Sequence, residues 1–234
     1  MTPQYKHALI IGAGSGLSAS LAQLFHANGL KVSLAARSIE KLGQLAAKTD
    51  AKTFACDAGD HAQIAGLFEA LDADGAPDVV VYNPSARVRG PFVELDPQAV
   101  QAAVQITAMG AFFAAREAAK RMVPNGNGAI LFTGASAGVK GYPQSASFAM
   151  GKFAMRGLAQ SMARELHPKG VHIGHFVIDG GIRNAARPER MDGPDNPDSM
   201  LCPDAIARSY WHLLEQDKSS WAWEVELRPW VERF

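Results

Sequence analysis

The feature that most limits what this chain can fold into is a repeated alternation. A short apolar run is followed by a turn, and then by a longer stretch with helical spacing. HALII (7–11) reads as a strand, followed by a glycine turn and a helix through His26. KVSLAA (31–36) is the next strand, and SIEKLGQLAAK a helix for which Ser38 is the expected N-cap. KTFAC (52–56) and the helix HAQIAGLFEAL come next. DVVVY (78–82) is a nearly continuous β-branched run, the pattern of a strand covered on both faces. The spacing then predicts a long helix from Asp96 to Met122 and a strand at GAILFT (128–133). A helix from Gln144 to Leu166, stopped by Pro168 and Gly170, leads to a sixth strand at VHIGHFVI (171–178). PDAIARSYWHLLEQ is helical and WAWEVEL (221–227) is the last strand. Such alternation requires parallel pairing through right-handed crossovers. The expected class is α/β, a doubly wound parallel sheet of about seven strands with helices on both faces.

No internal repeat or linker divides the sequence, so residues 1–234 are expected to form a single domain, long enough to bury a full core. The segment from Arg183 to Pro203 breaks the pattern with four prolines and the run MDGPDNPDS, and reads as a long ordered loop or lid. The 23 basic and 23 acidic side chains balance, and no basic stripe occurs, which excludes the electrostatic footprint of a nucleic-acid binder. No apolar run approaches the roughly 20 residues of a membrane span. The opening MTPQYKHALIIGAG lacks the pattern of a secretory signal, so a cytoplasmic location is the expectation. Cys56 and Cys202 are far apart and read as free thiols of a reducing compartment. His172 and His175 lie three apart on a strand and point to opposite faces. With no HExxH or Cys/His cluster in the sequence, no metal site is expected.

The chemistry begins at the first turn, IGAGSGLS (11–18). Glycines there allow a backbone to approach a pyrophosphate closely while the following helix presents its unpaired N–H groups. Gly12, Gly14, Ser15, Gly16 and Leu17 are the candidate contacts. The spacing fits G-x-x-x-G, because Leu17 takes the last slot of G-x-G-x-x-G. The end of the second strand is where an adenosine ribose is met; an acidic residue there favours NAD and an arginine favours the 2′-phosphate of NADP. LAARS (34–38) offers Arg37 and no carboxylate before Glu40, which favours NADP(H) unless Arg37 is only a solvated helix-start residue. Asp57, after the third strand, is placed either for an adenine contact or for a capping role.

With GAGSGL (12–17), Asp57-Ala58, Asn83 after the fourth strand, GAI (128–130) opening the fifth, and Lys152 in the long helix, the chain resembles the short-chain dehydrogenase/reductase family over essentially its whole length. The resemblance implies a Rossmann-like domain with the nicotinamide near the carboxyl ends of the fourth to sixth strands. It implies cofactor contacts at Ala58 and Asn83, a ribose hydrogen bond from Lys152, and a substrate lid at 183–203. It also implies a small-molecule substrate, and homodimers or homotetramers built through the long helices.

The departures from the family pattern are specific. Members use a Ser-Tyr-Lys set supported by an asparagine. In this sequence the asparagine position falls on Thr107, the serine position on Ala135 with Ser136 next to it, and the tyrosine position on Phe148. Ser18 stands at the third glycine, YNPS (82–85) replaces the NNAG-like stretch, and IDGG (178–181) the Pro-Gly after the sixth strand. A general acid is worth roughly 10²–10⁴-fold, and Phe148 has no proton to give. Candidate donors are Tyr142, unless it only packs with Pro143; the hydroxyls of Ser136, Ser145 and Ser147; or a water held by Thr107 and Lys152. Phe148 and Ala135 would line the substrate pocket. The expectation is an NADP(H)-dependent oxidoreductase with a non-standard proton donor. The alternative is a catalytically silent NADP(H)-binding sensor or oligomer partner.

Overall fold

The structure, a computed structural model, describes residues 4–232. Nine strands and seven α-helices are described: β1 (His7–Ile11), α1 (Leu17–Ala27), β2 (Lys31–Ala36), α2 (Gly43–Thr49), β3 (Lys52–Ala55), α3 (His61–Asp72), β4 (Val79–Tyr82), α4 (Pro97–Val104), α5 (Gly110–Asn125), β5 (Gly128–Thr133), α6 (Ala146–Leu166), β6 (Val171–Ile178), β7 (Gly181–Ile182), β8 (Met200–Leu201), α7 (Pro203–Leu214) and β9 (Glu224–Leu227). Seven strands form one all-parallel sheet in the order β3-β2-β1-β4-β5-β6-β9. Strand order reverses between β1 and β4, and the cleft at the carboxyl ends of such neighbours is where doubly wound folds bind ligands.

The central strands are mostly apolar because both of their faces are covered. Leu9, Ile11, Val80, Tyr82, Ile130 and Phe132 pack into one core with α3, α5 and α6. Their sequence neighbours Ala8, Ile10, Val79, Val81, Ala129 and Leu131 pack into a second core with α1 and α7. The two-residue period of the strand thus divides one apolar run between two layers.

Three local details differ from the sequence reading. Ser38 does not cap: residues Ile39–Leu42 form a 3₁₀ turn, and no side-chain hydrogen bond closes its start. The long helix is interrupted at Gln105–Met109 by a π turn joining α4 to α5. Its N-terminus is set by Asp96, whose carboxylate accepts from the Gln98 and Ala99 N–H groups. The widened turn admits the Tyr82 hydroxyl, which donates to the Ile106 carbonyl. The third difference is β7 paired with β8, a small ribbon that joins the two ends of the 183–199 segment.

The tryptophans near the end of the chain divide between core and surface. Trp221 stacks on His172 at 4.3 Å between centroids, and Trp223 lies against the core, whereas Trp230 is exposed. His172 and His175 do point apart: His172 bonds the Ala222 carbonyl, and His175 faces Glu224. Both cysteines are free thiols. No helix among the described residues is long and apolar enough to cross a membrane.

Candidate active site

The glycine turn is built by the strands beneath it. Gly12 and Ala13 both donate to the Ala35 carbonyl at the end of β2, at 2.9 and 3.0 Å. Gly12 sits at φ +79°, and a Cβ there would lie 2.7 Å from the Pro84 nitrogen, so this position needs glycine twice over. Ser18 does more than stand in for a glycine. Its hydroxyl donates to the Gly12 carbonyl at 3.1 Å and accepts from the Asn83 amide at 2.7 Å, tying the turn to the end of β4. Asn83 is therefore a brace for the turn. Gly14 has open space where a Cβ would be, and Gly16 starts α1 without a side-chain cap. The opening amides of α1 are left without a side-chain cap, and the bare Gly14 leaves the surface before them open.

Arg37 lies exposed at the end of β2 and pairs with no carboxylate among the described residues. Asp57 is occupied locally: its carboxylate accepts from the Gly59 N–H at 2.9 Å, and its own N–H donates to Gln63. Ala58 is buried, with its carbonyl where a Cβ on Gly110 would have to go.

Lys152 is buried to 2% exposure on α6, and its ammonium donates to the Thr133 carbonyl at 2.6 Å. It lies at the carboxyl end of β5, 5.8 Å from the Phe148 ring. Burial, reinforced by the charge of Arg87, pushes its pKa down to about 7. Phe148 is buried beside it, and Ala135 and Ser136 are half-buried just after β5. Tyr142 is 41% exposed, with the Lys140 ammonium 5.7 Å from its ring centroid. Thr107 is fully buried in the π turn, packed where a Cβ on Gly151 would clash, and its hydroxyl accepts from the Ala86 N–H at 3.1 Å.

The residue that sequence reasoning missed is Arg87. Its guanidinium carbon lies 3.8 Å from the centroid of Phe148. The residues on either side of it are fastened to buried hydroxyls, Ala86 to Thr107 and Val88 to Ser147 through both its N–H and its carbonyl. Irregular loops carry no periodicity, and the sequence signal was only the pair of arginines in SARVRG (85–90).

A parallel sheet reversing at β1 and β4, a glycine turn at that reversal, and a buried lysine at the end of β5 define a dinucleotide-dependent class of fold and site. The short chain dehydrogenase family signature matches residues 6–189, and the chain belongs to that family. It is 34% identical to a short-chain dehydrogenase from Rhodopseudomonas palustris, whose crystal structure superposes with a TM-score of 0.82 over 97% of this chain and 100% of that one. A metagenomic short-chain oxidoreductase crystallised in complex with NADP is 25% identical, with a TM-score of 0.82 over 99% of this chain and 100% of that one. The 3-dehydrosphinganine reductase TSC10B of Arabidopsis thaliana is 29% identical over 179 residues, 73% of this chain and 53% of that protein's length. Sequence and fold thus both place the protein in the short-chain dehydrogenase class.

Proposed function

We propose that the chain binds NADP(H) and reduces or oxidises a small molecule without a tyrosine proton donor. The observation that carries this reading is Lys152, a buried ammonium fixed by the Thr133 carbonyl at the carboxyl end of β5. NADP(H), when bound, supplies or accepts the hydride. Gly12, Gly14, Ser15, Gly16 and Leu17 would cradle its pyrophosphate and Arg37 its 2′-phosphate. Lys152 would hold the nicotinamide ribose. With its pKa pushed down to about 7, Lys152 also exchanges a proton near neutrality, which Phe148 cannot do. Phe148 and Ala135 form an apolar wall of the pocket. Segment 183–203 covers it as a lid, in keeping with Asn184, whose amide would stand 3.3 Å from a Cβ on Gly16. Exposed Met109, Phe112, Met150 and Phe153 on the long helices suit a homo-oligomer contact.

Titration of the purified protein with NADPH and NADH tests the reading. NADPH is expected to bind at least about tenfold tighter than NADH, a difference of about 1.4 kcal/mol, and Arg37→Ala to erase that preference. Failure to bind either nucleotide would overturn it. The absence of a proton on Phe148 and of a hydroxyl on Ala135 favours a second reading, a nucleotide-binding sensor without turnover. Tight NADPH binding with no oxidation by any carbonyl, imine or enone substrate would support that one.

A further inference from the structure

We propose that Arg87, stacked on the face of Phe148, is the centre of an anion subsite to which Arg89 and Arg190 add charge, recognising an oxyanion group, carboxylate or phosphate, on the substrate. The proposal rests on the NADP(H) reading for the neighbouring site, and adds the chemical class of what is reduced or oxidised there.

The loop that carries Arg87 is fastened on both sides by hydrogen bonds to buried hydroxyls. Arg87 is the middle residue of three, and both of its neighbours are hydrogen-bonded to hydroxyls with no solvent exposure. Ser147 binds Val88 at 2.9 and 3.0 Å, which fixes the peptide unit directly after Arg87. Thr107 stands at the position where the family carries asparagine, and it fixes the Ala86 N–H on the other side. The π turn, through Thr107, and α6, through Ser147, thus converge on one loop and aim one guanidinium at one ring. That ring is the residue that replaced tyrosine. A guanidinium stacked on an aromatic face keeps its edge N–H groups free for a planar or tetrahedral oxyanion.

The charges around it also lack a counter-ion. Among the described residues, Arg87, Arg89 and Arg190 form no ion pair with a carboxylate, although Arg183 of the same segment is paired with Asp192. Burial lowers the pKa of Arg87, and the charges of Arg89 and Arg190 lower it further. Lys152 adds a fourth nearby positive group when protonated. Like charges gathered without an anion are unfavourable, and an oxyanion between them reverses the sign. Arg190 comes from the 183–203 segment and Arg87 from the loop after β4. An anion bridging them would draw the two loops together over the pocket.

The test is a calorimetric titration of the full chain, with and without saturating NADP⁺, using benzoate, phenyl phosphate and neutral benzamide at constant ionic strength. At least one anion is expected to bind about tenfold or more tightly than benzamide, and Arg87→Gln and Arg190→Gln each to remove about tenfold of that preference. Preference for benzoate assigns a carboxylate substrate, and preference for phenyl phosphate a phosphorylated one. Ser147→Ala, which keeps every charge but frees the loop, is expected to weaken the anion severalfold. Equal binding of benzamide and the anions overturns the proposal, as does no anion binding, or an anion affinity unchanged in both glutamine variants. An equal loss of NADPH affinity in Arg87→Gln would also overturn it, because the guanidinium would then serve the cofactor. If NADPH fails to bind the unaltered protein, the cofactor reading falls. The cofactor-free titration then judges the subsite by itself.

Discussion

Arg87 and Phe148 are in face contact, with the guanidinium carbon 3.8 Å from the ring centroid, and Phe148 is otherwise almost wholly buried. Such a contact is worth about 1 to 2 kcal/mol when partly desolvated. A double-mutant cycle of Arg87→Met and Phe148→Leu is therefore expected to show a coupling of about 1 kcal/mol in urea unfolding. Strict additivity would mean the contact has no energetic content.

Ser147→Ala leaves the Val88 N–H and carbonyl without their buried partner. The expected loss is about 1 to 2 kcal/mol, with amide exchange accelerated around Val88 and unchanged in β1. Uniform acceleration across the sheet would show that Ser147 serves global packing instead.

Gly12 and Gly14 are expected to part company. Gly12→Ala meets Pro84 at 2.7 Å from a φ of +79°, so it should destabilise the fold by about 1 to 3 kcal/mol. Gly14→Ala meets nothing within 4 Å and should leave thermal stability nearly unchanged while weakening NADPH binding. Unaltered NADPH affinity in a folded Gly14→Ala protein would remove Gly14 from the cradle.

Lys152 has a folded pKa of about 7, against about 10.4 for an unfolded lysine. Between those values the unfolded chain binds the proton and the native one does not, so this residue makes stability rise with pH across that window. From about pH 7 to about pH 9 the gain is on the order of 2 kcal/mol, and Lys152→Met should abolish it. A wild-type slope no steeper than that of Lys152→Met would contradict the burial argument.

His172 and His175 act at the other end. Burial holds each down to about 4, and for His175 the Glu224 carboxylate offsets only part of that effect. Unfolded histidines take up protons near pH 6.5, so stability should fall as pH drops from about 6.5 toward 4, by roughly 2 kcal/mol per histidine. His172→Phe, which keeps an aromatic against Trp221, should make the fall shallower; an unchanged slope would count against it.

The strands were legible because their signal is local. β1, β2, β5 and β6 lie where their apolar runs lie, since a strand buried on both faces is written as a mostly apolar run whose few polar residues, such as His7, Ser33, His172 and His175, find hydrogen-bond partners. The glycine turn was legible for a similar reason, a backbone demand written in three residues. The π turn was not. It answers to Tyr82, whose hydroxyl reaches a carbonyl 24 residues further along the chain. The tie from Asn83 to Ser18 was not legible either, because the two lie 65 residues apart. Arg87 escaped for the same reason, since its stacking on Phe148 joins a loop without periodicity to a helix face.

The two-residue ribbon of β7 and β8 has a consequence for descent. Because Arg183 N–H also bonds the Leu201 carbonyl, the segment between them leaves and re-enters the body of the protein at a single point. Its contour can lengthen or shorten without disturbing the sheet register, since doubling such a loop costs only about 0.6 kcal/mol in closure entropy. The 183–199 stretch is in that sense an exchangeable cassette. Residues between Arg183 and Ser199, Arg190 among them, can thus change without altering the sheet or the buried lysine.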